Sequence, residues 1–337
     1  MNTTLEQLIA DQPHFGCIAF FPSSIGKPPS TDNDNSIEYR VIHRSAMMNS
    51  TRDESISSVR LATRPTQGEH TVTRNGQPQK VIVEAFNGVN CDDGFNLLFQ
   101  HDELTFAETL LHSMGSISEL DQGLVLVVAP QESGKSITSA QLLNPTRCTI
   151  SLDHPHAEAA HWSTPGLLSG LDAPSTLRVF RGFEQILFPE ITNNSLLEQA
   201  LMLSQSKLVI AQVVASDLIS GCYNLLSLSP NQSLFCDRLS SVLRSIIEPR
   251  ILFHTGKWHV YGGILNINRA CQTAIIEQRF RKLPVIVNDD NAGPGSISID
   301  KELAALIQDR KLNLEDASRY AQDPTTMKLR ASGIVHN

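Results

Sequence analysis

One stretch limits what this chain can fold into: residues 123–136, GLVLVVAPQESGKS. Residues 124–128 form an apolar run, short and β-branched enough for a buried parallel strand. The run breaks at Ala129-Pro130 and continues as Gln131-Glu132-Ser133-Gly134-Lys135-Ser136, and residues 137–143 are compatible with a helix. The order is strand, loop, helix, with Gly134-Lys135-Ser136 at the loop-to-helix join, where a P-loop belongs. Loop amides and the helix start would converge on phosphate oxygens. Gly134 lets the backbone approach without a Cβ. Lys135 would set a cation on the β- and γ-phosphates of ATP, and the Ser136 hydroxyl would ligate Mg²⁺. The strict pattern begins with Gly, and Ala129 stands in that place; its methyl is tolerable at negative φ. Glu132 is unwelcome beside phosphate unless its side chain points outward. The competing reading is a surface turn with a solvated lysine.

Composition narrows the partners. The chain has 337 residues, enough for two domains, with 41% hydrophobic and 18% charged residues. A net charge of −8 argues against direct nucleic-acid binding through phosphate contacts. The six cysteines, Cys17, Cys91, Cys148, Cys222, Cys236 and Cys271, form no CxxC pair, so neither a zinc ribbon nor a disulfide framework is suggested. Scattered thiols suit a reducing compartment. The opening MNTTLEQLIADQ has no basic or apolar leader region, and no apolar run approaches the roughly 20 residues of a membrane helix. These features predict a cytoplasmic protein, with any membrane role peripheral and through partners.

The texture changes along the chain. Residues 1–114 read as a small α+β domain: a short helix at 5–10, a polar loop at 23–36, and strand-like pieces at 38–43, 58–62, 71–74 and 80–86. Arg74-Asn75-Gly76-Gln77 is a hairpin signal. A helix is predicted at 103–114, then a linker at 115–122. From 123 to 268 apolar strands alternate with helical segments, which argues for a parallel α/β sheet. Strands are predicted at 147–152, 185–188, 207–214 and 258–265, and helices at 196–206, 216–228 and 236–247. Residues 269–337 read as helical apart from a loop at 288–295.

A P-loop ATPase needs an acid at the end of a neighbouring strand, to orient Mg²⁺ or take a proton from the attacking water. Glu190, after Ile186-Leu187-Phe188-Pro189, fits; the alternative is a solvated glutamate capping the next helix. Asp153 ends the intervening strand and either faces nucleotide or is a loop acid. His154, His156 and His161 lie beside Glu158, but their spacing is not that of a helix-face metal pair. Asp289-Asp290 reads as a solvated turn.

These residues carry a resemblance. Residues 120–325 resemble the PilT/GspE family of type IV pilus and secretion motor ATPases, most of all its PilT-like retraction branch. GLVLVVAPQESGKSITSAQLLN matches the family's strand, Walker A loop and helix. CTISLDHP matches the Asp box, QILFPEITN matches Walker B, and LVIAQVVASDLISGCYNLLSL matches the strand and helix around the His box. The tail from INRACQTAIIEQRF to ASRYAQDP follows the C-terminal helices. The resemblance implies a RecA-like P-loop domain after a small PAS-like α+β domain. It implies nucleotide held by Ala129 to Ser136, Mg²⁺ on Ser136, Glu190 as the catalytic glutamate and Asp153 as the Asp-box acid. It also implies a homo-hexamer acting on an inner-membrane platform protein, with an active paralogue as a possible further partner.

The departures from the pattern are specific. Val214 and Ala215 stand where the His box has histidine and threonine. His154 replaces the second Asp-box acid, and Pro189 replaces the Walker B glycine. Residues 272–277 fall where retraction motors carry a helix needed for force; Ala270, Ile275 and Glu277 keep that pattern, while Gln272 and Ile276 replace arginines. The family reaches nucleotide with arginines of its small domain, for which Arg40, Arg44, Arg60, Arg64 and Arg74 are the candidates. Two functions are therefore expected: an ATP-hydrolysing motor subunit for pilus retraction, secretion or conjugation, or a weakly active or inactive nucleotide-binding subunit of such a machine.

Overall fold

The computed structural model describes residues 16–22, 37–45, 56–61, 68–74, 77–88, 91–99, 104–131, 133–152, 162–163, 173–254, 257–288 and 294–333. They fall into two compact units, divided between Leu104 and Thr105.

The first unit contains six strands: β1 (Gly16–Pro22), β2 (Ile37–Ser45), β3 (Ile56–Leu61), β4 (Gly68–Arg74), β5 (Gln77–Gly88) and β6 (Cys91–Phe99). They form one antiparallel sheet in the order β3-β2-β1-β6-β5-β4. Arg74 pairs with Gln77, so the strands of the expected hairpin do meet there. Strands β1 and β6 were not foreseen; β6 opens on Cys91-Asp92-Asp93-Gly94, which reads locally as a turn. The helix expected at 5–10 and the loop at 23–36 lie outside the described residues.

The second unit opens within β7 (Leu104–Phe106), which straddles the division, and continues with α1 (Glu108–Ser118). Residues 104–106 are strand where a helix was expected, and the Ala107 amide donates to the Val260 carbonyl at 2.9 Å. A sheet partner distant in sequence thus takes the backbone group that a local helix would have used. Residues 115–118, expected in a linker, complete α1, whose Leu110, Met114 and Ile117 are buried. There follow β8 (Gly123–Ala129), α2 (Lys135–Gln141), β9 (Thr149–Ser151), β10 (Trp162–Ser163), α3 (Ala173–Val179), β11 (Gln185–Glu190), α4 (Asn194–Leu203), β12 (Leu208–Val214), α5 (Leu218–Leu228) and α6 (Gln232–Val242). The unit closes with β13 (Leu243–His254), β14 (Lys257–Asn266), α7 (Arg269–Ile276), α8 (Leu283–Asn288), α9 (Ile299–Gln308), α10 (Leu314–Tyr320) and α11 (Pro324–Ala331).

Eight strands form one sheet, ordered β10-β9-β11-β12-β8-β13-β14-β7. From β10 to β13 the pairs are parallel, and β13-β14 is an antiparallel hairpin. The helix expected over 236–247 therefore stops at Val242. Leu243, Ile246 and Ile247 instead pair with β8 at Leu124, Leu126 and Val127. A short apolar run is locally compatible with helix or buried strand, and the open edge of β8 decides for strand.

The sheet has two different faces. Leu124, Leu126, Val128, Ile186, Phe188, Val209, Ala211 and Val213 point into the main core, packed with residues from α4, α5 and α6. The alternate positions include Gln212 and, on neighbouring strands, Thr149, Ser151 and Gln185, all buried polar residues. At the other end of the unit α9, α10 and α11 form a smaller core around Leu303, Leu306, Ala317 and Met327. The Asp300 carboxylate ties their turns together, accepting from the amides of Gln322 at 2.8 Å and Asp323 at 3.0 Å.

Candidate nucleotide-binding site

Strand β8 ends at the buried Ala129, and the chain turns through residues 130–134 into α2. Gly134 adopts φ 84°, the left-handed region in which a side chain is strained. Ala129 is not among the described positive-φ residues, so its methyl is accommodated where the strict motif has glycine. Lys135 is 7% exposed, and its ammonium donates to the Pro130 carbonyl at 2.7 Å. The lysine side chain thus turns back over its own loop. Ser136 is exposed, and its hydroxyl donates to Gln212 Oε1 at 3.3 Å.

Glu190 reaches this site through an irregularity. On β11 Leu187 pairs with Ile210, but Glu190, three residues on, pairs with Gln212, only two residues on. One extra residue is accommodated between them, a β-bulge. Pro189 lies in that segment and has no amide to give the ladder, which is where a sheet tolerates proline. The bulge decides a face. Without it Glu190 would pair with Val213 and point into the apolar core; with it Glu190 shares the face of Gln212. Neighbouring strands are about 4.8 Å apart, so the two side chains are immediate neighbours. Just beyond, Asn193 caps α4, its side chain accepting from the Leu196 amide at 3.0 Å. The cap of that helix is therefore Asn193, and Glu190 belongs to the strand.

The segment after β12 is held from two sides. The Ala215 amide donates to the Ala129 carbonyl at 3.2 Å, so it is bonded to the end of β8. The Leu218 amide donates to Glu248 Oε1 at 2.8 Å, and Arg250 donates to the Ser216 carbonyl at 2.9 Å. Gln322, between α10 and α11, donates to Glu248 Oε2. Glu248 is 5% exposed, and burial pushes its carboxyl above the usual range, opposed by Arg250 and the Leu218 amide. This carboxylate joins the start of α5 to the segment between α10 and α11. At Val214 and Ala215 themselves the side chains are aliphatic, as the sequence states.

Of the expected site residues, the structure brings Ala129, Gly134, Lys135 and Ser136 together, with Glu190 on the strand beside Gln212. Glu132, Asp153 and the histidines at 154, 156 and 161 lie outside the described residues, as do Arg64 and Asp289-Asp290. Among the described residues there is no cluster of three metal-ligating groups. Among the described residues no helix is long and apolar enough to cross a membrane. Gln212, Glu248 and Arg250 were not singled out from the sequence. A signal existed for Gln212, the one polar residue in LVIAQVV.

No protein-family model matches the chain, and no curated protein matches it in sequence. Solved structures do match. The pilus retraction motor PilT, solved with bound ADP, is 16% identical with a TM-score of 0.58, over 97% of this chain and 99% of that one. The ATPase DotB of Legionella pneumophila is 10% identical with a TM-score of 0.56, over 90% of each chain. The ATPase DotB of Yersinia pseudotuberculosis is 14% identical with a TM-score of 0.52, over 85% of this chain and 75% of that one. At such identities the likeness speaks to architecture, and the chain has the fold of the pilus retraction motor PilT and of the DotB ATPases.

Proposed function

We propose that this protein is an ATP-binding subunit of a motor of the PilT/GspE family, serving a pilus, secretion or conjugation machine. The observation that carries the reading is the face shared by Glu190 and Gln212, with Ser136 bonded to Gln212 at the start of the P-loop helix. Lys135 supplies the cation for the terminal phosphates, and loop amides after Ala129 supply donors. The Ser136 hydroxyl is a hard oxygen donor that would hold Mg²⁺ as a single protein ligand rather than part of an all-protein cage. That suits magnesium, which keeps waters and phosphate oxygens as ligands. Glu190 takes a proton from the attacking water and holds that water in line. The subunit is proposed to assemble as a homo-hexamer, in the cytoplasm or peripherally on the inner membrane, and to act on a platform protein there. Asp153 is proposed as a further acid of the site.

A second reading has its own observation. Val214 and Ala215 offer no polar side chain at the end of β12, where the resemblance places a histidine that senses the γ-phosphate. A subunit that binds nucleotide but turns it over slowly, alongside an active paralogue, fits that loss. Steady-state ATPase activity at several protein concentrations, beside Lys135→Ala, separates the two. Turnover that rises with concentration and disappears in the variant supports an autonomous assembled motor. ATP binding without turnover above the variant leaves the second reading, and no ATP binding at all removes both.

A further inference from the structure

We infer that Gln212 is a positioning residue for the metal-binding hydroxyl of Ser136, taking its proton in a hydrogen bond so that an Oγ lone pair faces Mg²⁺. The inference rests on the nucleotide-site reading above and deepens it.

Three observations carry it. Gln212 is 3% exposed in a strand whose other residues, Leu208 to Val214, are all aliphatic. An amide in such a place costs free energy unless its polar atoms are bonded. Its Oε1 accepts from Ser136 Oγ at 3.3 Å, a long contact for an O–H···O pair. Its backbone is pinned on both sides, paired in register with Val127 and Glu190, and its carbonyl accepts from the Ile191 amide at 2.9 Å. The amide therefore sits on one face between the hydroxyl and the carboxylate that the proposed reaction uses.

The chemistry follows from the hydroxyl. A serine oxygen has two lone pairs and one proton. When the proton is given to a fixed acceptor, the lone pairs are aimed elsewhere, toward the open side of the loop. Gln212 Oε1 is that acceptor. What the orientation requires is an acceptor oxygen at that place, whatever group carries it. Partners that orient a metal ligand in this way change metal affinity by about 10- to 100-fold when removed.

The test is the magnesium dependence of ADP binding. A fluorescent ADP analogue is titrated into the full-length protein in excess MgCl₂ and, separately, in EDTA, and the ratio of the two Kd values is taken. Wild type, Gln212→Leu, Gln212→Glu and Lys135→Ala are compared, with thermal melting to verify folding. Leucine matches the aliphatic strand, so the first variant is expected to fold. The inference expects the ratio to fall about tenfold or more, or to one, in Gln212→Leu. Gln212→Glu, which keeps the acceptor oxygen, should hold at least the wild-type ratio. A wild-type ratio of one overturns the inference, as does an undiminished ratio in Gln212→Leu or an equal fall in Gln212→Glu. In each of those cases the nucleotide site stands. If wild type does not bind the analogue, or binds it no better than Lys135→Ala, the site reading fails and the inference falls with it.

Discussion

Helix α5 packs closely on strand β8 at Gly221. A Cβ built there would lie 2.6 Å from Val128 Cγ1 and 3.3 Å from Cγ2. Val128 is 1% exposed and β-branched, so turning its side chain only drives methyls into a filled core. Gly221→Ala should therefore push α5 from β8. Overpacking of this kind costs about 1–3 kcal/mol. Alanine returns about 1 kcal/mol in helix propensity. The net expectation is a loss of about 1 kcal/mol, against a gain of about 1 kcal/mol if space were available. Val128→Ala alone should cost about 2–3 kcal/mol, from two buried methyls and the space they leave. In the double variant the new methyl enters that space, so the pair should cost less than the sum by about 1–2 kcal/mol. Urea unfolding followed by tryptophan fluorescence is the assay, since both tryptophans, Trp162 and Trp258, belong to this unit. A Gly221→Ala variant more stable than wild type, or strict additivity in the cycle, would refute the close-packing argument.

Other expectations follow from the site. Glu190→Gln should lower kcat by about 10²- to 10⁴-fold in a protein that turns ATP over, with ATP affinity little changed; an equal loss of affinity in a binding titration would assign Glu190 a structural role. Glu248→Gln should become more favourable relative to wild type as pH rises. The folded carboxyl titrates above its ordinary 4.5, so its contribution is fully present below the unfolded value and is lost as pH climbs through the folded one. Glutamine has no charge to bury, and Gln322 can reverse its amide to keep both bonds. Melting temperatures of the two proteins at pH 5 and pH 8 read this directly, and a pH-independent difference would count against it.

Much of this was legible in the sequence because it is local. The apolar run at 124–128, the Gly134-Lys135-Ser136 join and the strands at 185–188 and 207–214 are period and turn signals within a few residues of one another. They determined a parallel α/β unit with a glycine-lysine-serine turn between its first long strand and the next helix, a glutamate at a strand end, and helices after residue 269. What the tertiary structure decided is everything that depends on a partner distant in the chain. Residues 243–247 are strand because β8 has an edge to fill. Residues 104–106 are strand rather than helix, and the Ala107 amide goes to β14. Glu190 shares the face of Gln212 rather than that of the core because one extra residue is absorbed between Leu187 and Glu190. Gln212 matters because Ser136, 76 residues earlier, folds onto it. Side-chain face alternates with every residue of a strand, so a single bulge reverses it, and no local pattern records which neighbour the strand will find.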